Sequence, residues 1–203
     1  AEEHGLGDAL GDWIFRRVFN DLSSLPFWLI ERISVAVNLS ESMFTLNLPT
    51  KLNQFLQGSP ILHEQLILEL TETIALLDFA TSQQILQALQ EDNIRIALDD
   101  FGTGFSSLAY LKDLSVDKLK IDKSFIQQID LDQRQFHLVQ HITELAHDLG
   151  LTVVAEGVET AVELDIVAGI GAEEIQGYYY SRPLELPQLV SYLSNYFHPE
   201  TTV

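Results

Sequence analysis

The chain has 203 residues, of which 46% are apolar, so it is long enough for one large domain or two small ones with a substantial buried core. Its 30 acidic and 11 basic residues give a net charge of −19, which excludes nonspecific binding to duplex nucleic acid or to an anionic membrane surface, because both need clustered lysine and arginine. The lack of cysteine excludes disulfides and thiolate metal sites, and we expect a cytoplasmic location, either free or as the cytoplasmic part of a membrane-anchored protein.

Short apolar runs predict strands, and amphipathic stretches between them predict helices. A first helix is predicted over residues 7–19, and others over residues 79–90 and 133–149. The six predicted strands cover residues 33–39, 66–70, 94–99, 116–121, 151–155 and 173–177. Strands that alternate with helices favour a parallel sheet. Because no Pro-, Gly- or Ser-rich linker interrupts residues 1–203, we expect a single α/β domain.

A polar residue lies at or just after the C-terminal end of each predicted strand. In chain order these residues are Asn38, Glu69, Asp99 with Asp100, Lys120 with Asp122, Glu156 with Glu159, and Gln176. In a TIM-like (β/α)8 barrel all strand C-termini meet on one face, where active sites lie. A doubly wound open sheet would spread the same residues along a line, with only a crevice between neighbours. The pattern therefore favours the barrel.

The number of predicted strands is too small for a complete barrel. Eight strands with their helices usually need about 250 residues, and no strand is predicted before the first helix. We therefore expect an N-terminally truncated (β/α)8 barrel whose first two strands are missing. The alternative is a true six-stranded variant.

The adjacent carboxylates Asp99 and Asp100 predict a metal site. They end an apolar run, and a Gly-Thr-Gly turn and two serines follow within residues 102–107. Two acids at the end of a buried strand are costly unless a cation faces them. Together with Glu69 and Asn38 they supply hard oxygen ligands that suit Mg²⁺ or Mn²⁺, and such a pair can hold two ions about 4 Å apart. The alternative is that these acids cap helices or pair with basic side chains.

Lys120 and Glu156 are the candidates for proton transfer and charge neutralisation. The alternation of residues 116–122 points Lys120 towards the barrel interior, where an ammonium group could orient water or neutralise a phosphate. An isolated lysine at such a position is more often a solvated strand-end charge. Glu156 could accept a proton from water as a general base. A salt bridge to Lys120 is the alternative for Glu156, and both roles can coexist.

Six motifs in order resemble the EAL-domain family of cyclic di-GMP phosphodiesterases. They are NLS (38–40), ELTET (69–73), DDFGTGFSSL (99–108), LKIDKSFI (119–126), AEGVET (155–160) and QGYYYSRPL (176–184). The resemblance covers nearly the whole chain. It implies a (β/α)8-type barrel with one antiparallel strand that hydrolyses cyclic di-GMP to linear pGpG with two Mg²⁺ or Mn²⁺ ions. It also implies a homodimer formed through this domain, and it leaves fused sensory or GGDEF domains open.

The resemblance implies metal ligands by position. Asn38, Glu69 and Asp99 look like ligands of the first metal, and Asp100 looks like a ligand of the second, with Asp99 bridging both. The Glu-Ala-Leu motif that names the family is absent from the sequence. In the family its glutamate is a further ligand of the first metal, and an arginine just downstream contacts the substrate phosphate. We therefore expect a weakened site unless the parent protein or a partner supplies that segment.

The resemblance also implies roles around the metals. Lys120 and Glu156 match the residues that position and deprotonate the attacking water. Glu72 matches the glutamate that anchors the loop after the paired aspartates. The supporting positions around the metals and the water are matched by Asp122, Glu159 and Gln176.

Two other functions are compatible with parts of the sequence. The missing Glu-Ala-Leu motif favours a catalytically inactive cyclic di-GMP receptor or interaction scaffold, whereas the whole DDFGTG loop favours an enzyme. An enolase-type barrel would also use strand-end acids and a lysine pair such as Lys118 and Lys120. In such a barrel, however, the lysine pair precedes the metal carboxylates in sequence, and here it follows them.

Overall fold

The computed structural model describes residues 7–103 and 108–197, and these contain one parallel sheet. The strands are β1 (Val35–Asn38), β2 (Leu66–Thr71), β3 (Arg95–Phe101), β4 (Lys118–Ile121), β5 (Thr152–Glu156) and β6 (Glu174–Gln176). They lie side by side in chain order, and each neighbouring pair is parallel. The sheet curls into a half-barrel. All six predicted strands are confirmed, and the antiparallel strand implied by the resemblance is not among these six.

Two helices precede β1, and the others lie between or after the strands. They are α1 (Gly7–Ser23), α2 (Phe27–Ile30), α3 (Leu48–Leu56), α4 (Glu72–Leu77), α5 (Phe79–Glu91), α6 (Leu108–Leu111), α7 (Lys123–Ile126), α8 (Gln133–Asp148), α9 (Ala161–Ile170) and α10 (Leu186–Phe197). The three helices predicted from periodicity are confirmed as α1, α5 and α8. Within the described ranges, no helix has the length and apolar character needed to cross a membrane.

Capping residues explain where α8 begins and ends. The carboxylate of Asp132 accepts hydrogen bonds from the backbone N–H groups of Arg134 and Gln135, at 2.8 and 3.4 Å. Both N–H groups lie in the first turn, where backbone donors have no acceptor within the helix. At the other end, Gly150 has a φ of +76°, a conformation in which glycine is favoured after a helix. This local chemistry fixes the length of the helix between β4 and β5.

The two faces of the sheet have different chemistry because side chains alternate along each strand. In β2, Leu66, Leu68 and Leu70 are buried in the core between the sheet and the helices. Ile67 and Glu69 point to the concave face of the half-barrel. The other strands share this alternation, so the convex face forms the hydrophobic core and the concave face collects the polar residues. The fold thereby directs Glu69, Lys120 and Gln176 to one interior surface.

Replacing Leu68 with alanine is expected to destabilise the fold strongly, because this side chain is 0% exposed in the core. The lost burial and the cavity left behind cost about 2–5 kcal/mol of unfolding free energy. Urea denaturation followed by circular dichroism measures this change. Leu77→Ala is the matched control, since Leu77 is 59% exposed and its truncation should change the stability by less than about 0.5 kcal/mol. Equal losses in both variants would contradict the assignment of Leu68 to the core.

Candidate active site

The predicted site residues meet where the parallel strands end. The register of the sheet places Asn38 beside Glu69 and Glu156 beside Gln176. In the middle of the sheet, β3 ends in Asp99 and its neighbours, and β4 carries Lys120. Because each neighbouring pair of strands is parallel, the polar residues at the strand C-termini lie along one edge of the sheet.

Lys120 is the centre of this group. Its Nζ lies 2.8 Å from Oε1 of Glu69, 2.9 Å from Oδ1 of Asp99 and 2.6 Å from Oε1 of Glu156. The lysine side chain is 3% exposed, so its alternative interpretation as a solvated strand-end charge is wrong. Burial by itself lowers the pKa of this ammonium group, but its hydrogen bonds to the three carboxylates outweigh burial and raise the pKa above its usual range. Lys120 is therefore a cation at neutral pH, and the salt bridge considered between it and Glu156 is present.

A bulge in β3 brings the two adjacent aspartates to the same side of the strand. Consecutive residues of a regular strand point to opposite faces. Here the register of β3 against β4 shifts between Leu98 and Phe101, and Asp100 has a φ of +54°. A bulge of this kind changes the direction in which a side chain points. As a result, one carboxylate oxygen each of Asp99, Asp100 and Glu156 lie within 4.8 Å of one another.

This carboxylate group has the properties of a cation site. Burial, followed by the negative charge of Asp99, raises the pKa of Asp100. Burial also raises the pKa of Glu156, although its contact with Lys120 acts in the opposite direction. Both shifts come mainly from burial, and the carboxylates of Glu69, Asp99, Asp100 and Glu156 outnumber the single ammonium group of Lys120. Oxygen ligands at this spacing fit a hard divalent cation such as Mg²⁺ or Mn²⁺.

The loop after β3 is held in a tight turn. The backbone carbonyl of Asp100 accepts hydrogen bonds from the backbone N–H of Thr103 at 3.2 Å and from its hydroxyl at 2.9 Å. Gly102 has a φ of +95°, and a Cβ added there would lie 2.9 Å from the ring of Phe125. Glycine is therefore required at this point on both grounds. Gly104, Ser106 and Ser107 of the predicted loop lie outside the described residues.

The supporting residues have separate positions. Glu72 is buried at the first residue of α4, directly after β2. Asp122 caps α7, because its carboxylate accepts from the backbone N–H of Ser124 at 2.9 Å. Glu159 is an exposed residue of the loop after β5, and Gln176 is an exposed residue at the end of β6. Asn38 is also exposed at the end of β1, so this predicted ligand lies on the open rim of the site.

Sequence reasoning missed Glu163 and the ion-pair partner of Lys118. Glu163 is 6% exposed and accepts hydrogen bonds from backbone N–H groups of two loops. The pattern Thr160-x-x-Glu163 of a capping box could have revealed it. Lys118 forms an ion pair with Glu174 on the concave face, one inward position before Lys120. Strand alternation predicts that Lys118 points inward, but its partner is more than fifty residues away in sequence and leaves no local signal.

Comparison with known proteins decides the family. The family model of the EAL domain matches residues 1–183, which is most of the chain. The chain belongs to the EAL family. It is 40% identical over 197 residues to a protein of Pseudomonas aeruginosa named cyclic di-GMP phosphodiesterase NbdA. The match covers 97% of this chain and 25% of NbdA, so the chain spans about a quarter of that EAL relative.

Solved EAL structures share the fold. A complex of the Pseudomonas aeruginosa MucR phosphodiesterase with cyclic di-GMP superposes with a TM-score of 0.84 at 35% identity, over 93% of this chain and 77% of that one. The manganese and cyclic di-GMP complex of Klebsiella pneumoniae BlrP1 matches with a TM-score of 0.69 at 32% identity, over 74% of this chain and 39% of that one. The predicted EAL fold, a TIM-like barrel architecture, is thus confirmed.

Proposed function

We propose that this chain provides most of an EAL phosphodiesterase domain, which hydrolyses one phosphodiester bond of cyclic di-GMP to give linear pGpG. Its relative NbdA is named a phosphodiesterase for this dinucleotide, and the MucR structure is a complex with it. The observation that carries the proposal is the carboxylate group around Lys120, in which three acids lie within 2.9 Å of one ammonium nitrogen. A group with this charge fits a cation-assisted reaction on an anionic substrate.

The residues of the site divide into cation ligands and proton-transfer groups. Asn38, Glu69 and Asp99 would hold a first Mg²⁺ or Mn²⁺, and Asp100 would hold a second, with Asp99 shared. When bound, such ions lower the pKa of water and stabilise the charge that develops on a phosphodiester. The BlrP1 structure, a manganese complex, supports this choice of cation. The carboxylate oxygens of Asp99 and Asp100 already lie within 4.8 Å of each other, as a shared site requires.

Glu156 and Lys120 would act on the water that attacks the phosphorus. Glu156 would accept the proton of this water, and burial raises the pKa of its carboxyl group, which makes it a stronger base than an exposed glutamate. Lys120 is held as a cation by its three acidic partners, so it orients the water and offsets the negative charge of the phosphate. The two side chains are 2.6 Å apart, which lets one group fix the position of the other.

Turnover of cyclic di-GMP tests the proposal. The purified protein is incubated with the dinucleotide and Mn²⁺ or Mg²⁺, and pGpG is quantified by liquid chromatography. A second preparation carries the Glu-Ala-Leu segment of an EAL relative at its N-terminus, because the sequence contains no such motif. We expect pGpG in the presence of either ion and none after addition of EDTA. Absence of pGpG from both preparations would overturn the proposal.

The alternative function, a catalytically inactive receptor, predicts a different result. Calorimetry would then show tight binding of cyclic di-GMP without added metal and without turnover. The acid and lysine set around Lys120 favours the enzyme, because it provides groups that can hold a cation and act on a water molecule. Cleavage that depends on the metal excludes the receptor.

The partners proposed for the chain are further domains and a second copy of itself. NbdA is about four times as long as this chain, and MucR is named a bifunctional diguanylate cyclase and phosphodiesterase. We therefore expect fused sensory or GGDEF domains in the parent protein and a homodimer formed through the EAL domain. Light scattering of the purified protein measures its molar mass in solution and so tests the homodimer.

A further inference from the structure

Glu163 is a buried carboxylate that contacts two separate loops at the mouth of the half-barrel. It is 6% exposed in the first turn of α9. Its Oε2 accepts from the backbone N–H of Glu159 at 2.9 Å and of Thr160 at 3.0 Å. Its Oε1 accepts from the backbone N–H of Gln128 at 3.1 Å. Among the described residues, no basic side chain forms an ion pair with Glu163.

Helix capping explains only part of this arrangement. In a capping box the acid at the third helical position bonds back to the backbone N–H of the N-cap, here Thr160. One oxygen is enough for that role, and glutamine serves it as well as glutamate. The second oxygen of Glu163 reaches Gln128, which lies beyond the end of α7 and has a φ of +63°. This bond ties the loop after β5 to the segment after β4.

These two segments follow the strands that carry Lys120 and Glu156. The loop after β5 begins at Gly157, whose φ is +69°, and a Cβ added there would collide with Cβ of Lys123. The loop therefore rests directly on the first residue of α7. At the other end of α7, Glu163 connects the same two segments, because its carboxylate accepts a hydrogen bond from the backbone N–H of Gln128. The loop after β5 is thus fixed at both ends against the helix that follows β4.

The charge on Glu163 is maintained by these bonds. Burial by itself raises the pKa of this carboxyl group, but the backbone N–H groups of Glu159, Gln128 and Thr160 outweigh burial and hold the pKa below its usual range. The positive end of the α9 dipole acts in the same direction. The carboxylate accepts all three hydrogen bonds in its ionised form throughout the neutral pH range.

We propose that Glu163 is a positioning residue for the proposed hydrolysis: it joins the loop after β5 to the end of α7 and thereby fixes Glu156 relative to Lys120. The inference rests on the function proposed above. The two groups are in contact at 2.6 Å, and the reaction needs both at defined positions around one water. A residue that holds such groups in place typically contributes about 10–100-fold in activity or metal affinity.

The test compares Glu163→Gln with a matched control. Glutamine keeps one acceptor oxygen for the capping box but offers an amide N–H₂ group to the N–H of Gln128, so it removes the bond between the loops. Asp78→Asn is the control, because Asp78 also caps a helix with its carboxylate, at 3.3 Å from the backbone N–H of Thr81, and joins no second loop at the mouth. We expect Glu163→Gln to lower kcat by about tenfold with KM unchanged, and to speed amide hydrogen exchange at Gln128. Asp78→Asn should change neither.

Three measurements can overturn the inference. An unchanged kcat in Glu163→Gln, despite faster amide exchange at Gln128, would show that the hydrogen bond between Glu163 and Gln128 does not position Glu156. A fall in kcat that is fully explained by a smaller fraction of folded protein, as measured by thermal unfolding, would show that Glu163 has only a structural role. If the wild-type protein does not hydrolyse cyclic di-GMP, the proposed function fails by itself. Calorimetric binding of Mn²⁺ then decides: Glu156 belongs to the carboxylate group with Asp99 and Asp100, so loosening it in Glu163→Gln should weaken the affinity for the ion. An unchanged affinity would overturn the inference.

Discussion

Asp99→Asn is expected to abolish hydrolysis of cyclic di-GMP, because it removes the central negative charge of the cation site. Asp99 lies 2.9 Å from Nζ of Lys120 and belongs to the group of acids whose oxygens lie within 4.8 Å of one another. One unit-charge pair at 4 Å is worth about 4 kcal/mol at the effective dielectric constant near a protein surface. That energy corresponds to about a thousandfold in the affinity for the divalent ion. Calorimetric titration with Mn²⁺ and the pGpG assay measure both losses.

The control for Asp99→Asn is Asp148→Asn, which makes the same chemical change on the exposed end of α8. This control should bind Mn²⁺ and hydrolyse the substrate like the wild type. Asparagine keeps the oxygen that accepts from the backbone N–H of Asp100 at 3.0 Å, so the bulge of β3 can persist in the variant. Wild-type Mn²⁺ affinity in Asp99→Asn would refute the placement of the metal site at the end of β3.

The strands were predictable from the sequence for a physical reason. Strands of a parallel sheet that is covered by helices are short apolar runs, and β2 has this form, interrupted by the inward-facing Glu69. In β4, inward-facing lysines alternate with apolar residues that point to the core. The helices were less predictable. Short helices such as α6 and α7, with four residues each, are too brief to show a helical period. The near-continuous apolar character of α9 also hides its period.

The site was predictable as a set of residues but not as a geometry. The sequence places Asp99 and Asp100 at a strand end, yet period-two alternation would send them to opposite faces. Only the bulge, with its left-handed Asp100, brings both oxygens together. The burial of Lys120 could not be predicted from the sequence either, because no local pattern distinguishes a solvated lysine from one with three acidic partners. The roles assigned to these residues stay predictions that the substitutions above test.

Lys120→Met is expected to destabilise the metal-free protein and to make its stability depend on divalent ions. Three carboxylates within 2.9 Å of Nζ would lose the cation that they share. Removing one partner from a buried ion pair costs about 3–5 kcal/mol, because the remaining charges are left without compensation. Urea denaturation with EDTA measures this loss. Hydrolysis should be absent as well, since the water loses the cation that orients it.

Mn²⁺ should recover much of the stability that Lys120→Met loses. The ion replaces the missing positive charge, and it binds more tightly where no ammonium group repels it, so the stabilisation grows with the ratio of free Mn²⁺ to its Kd. Lys118→Met is the matched control: Lys118 is equally buried on the same strand and face, but its partner Glu174 is 48% exposed and lies outside the carboxylate group. The control should lose less stability and show the wild-type response to Mn²⁺. An equal rise in Tm with Mn²⁺ for both variants would show that Lys120 is not the counter-ion of the metal ligands.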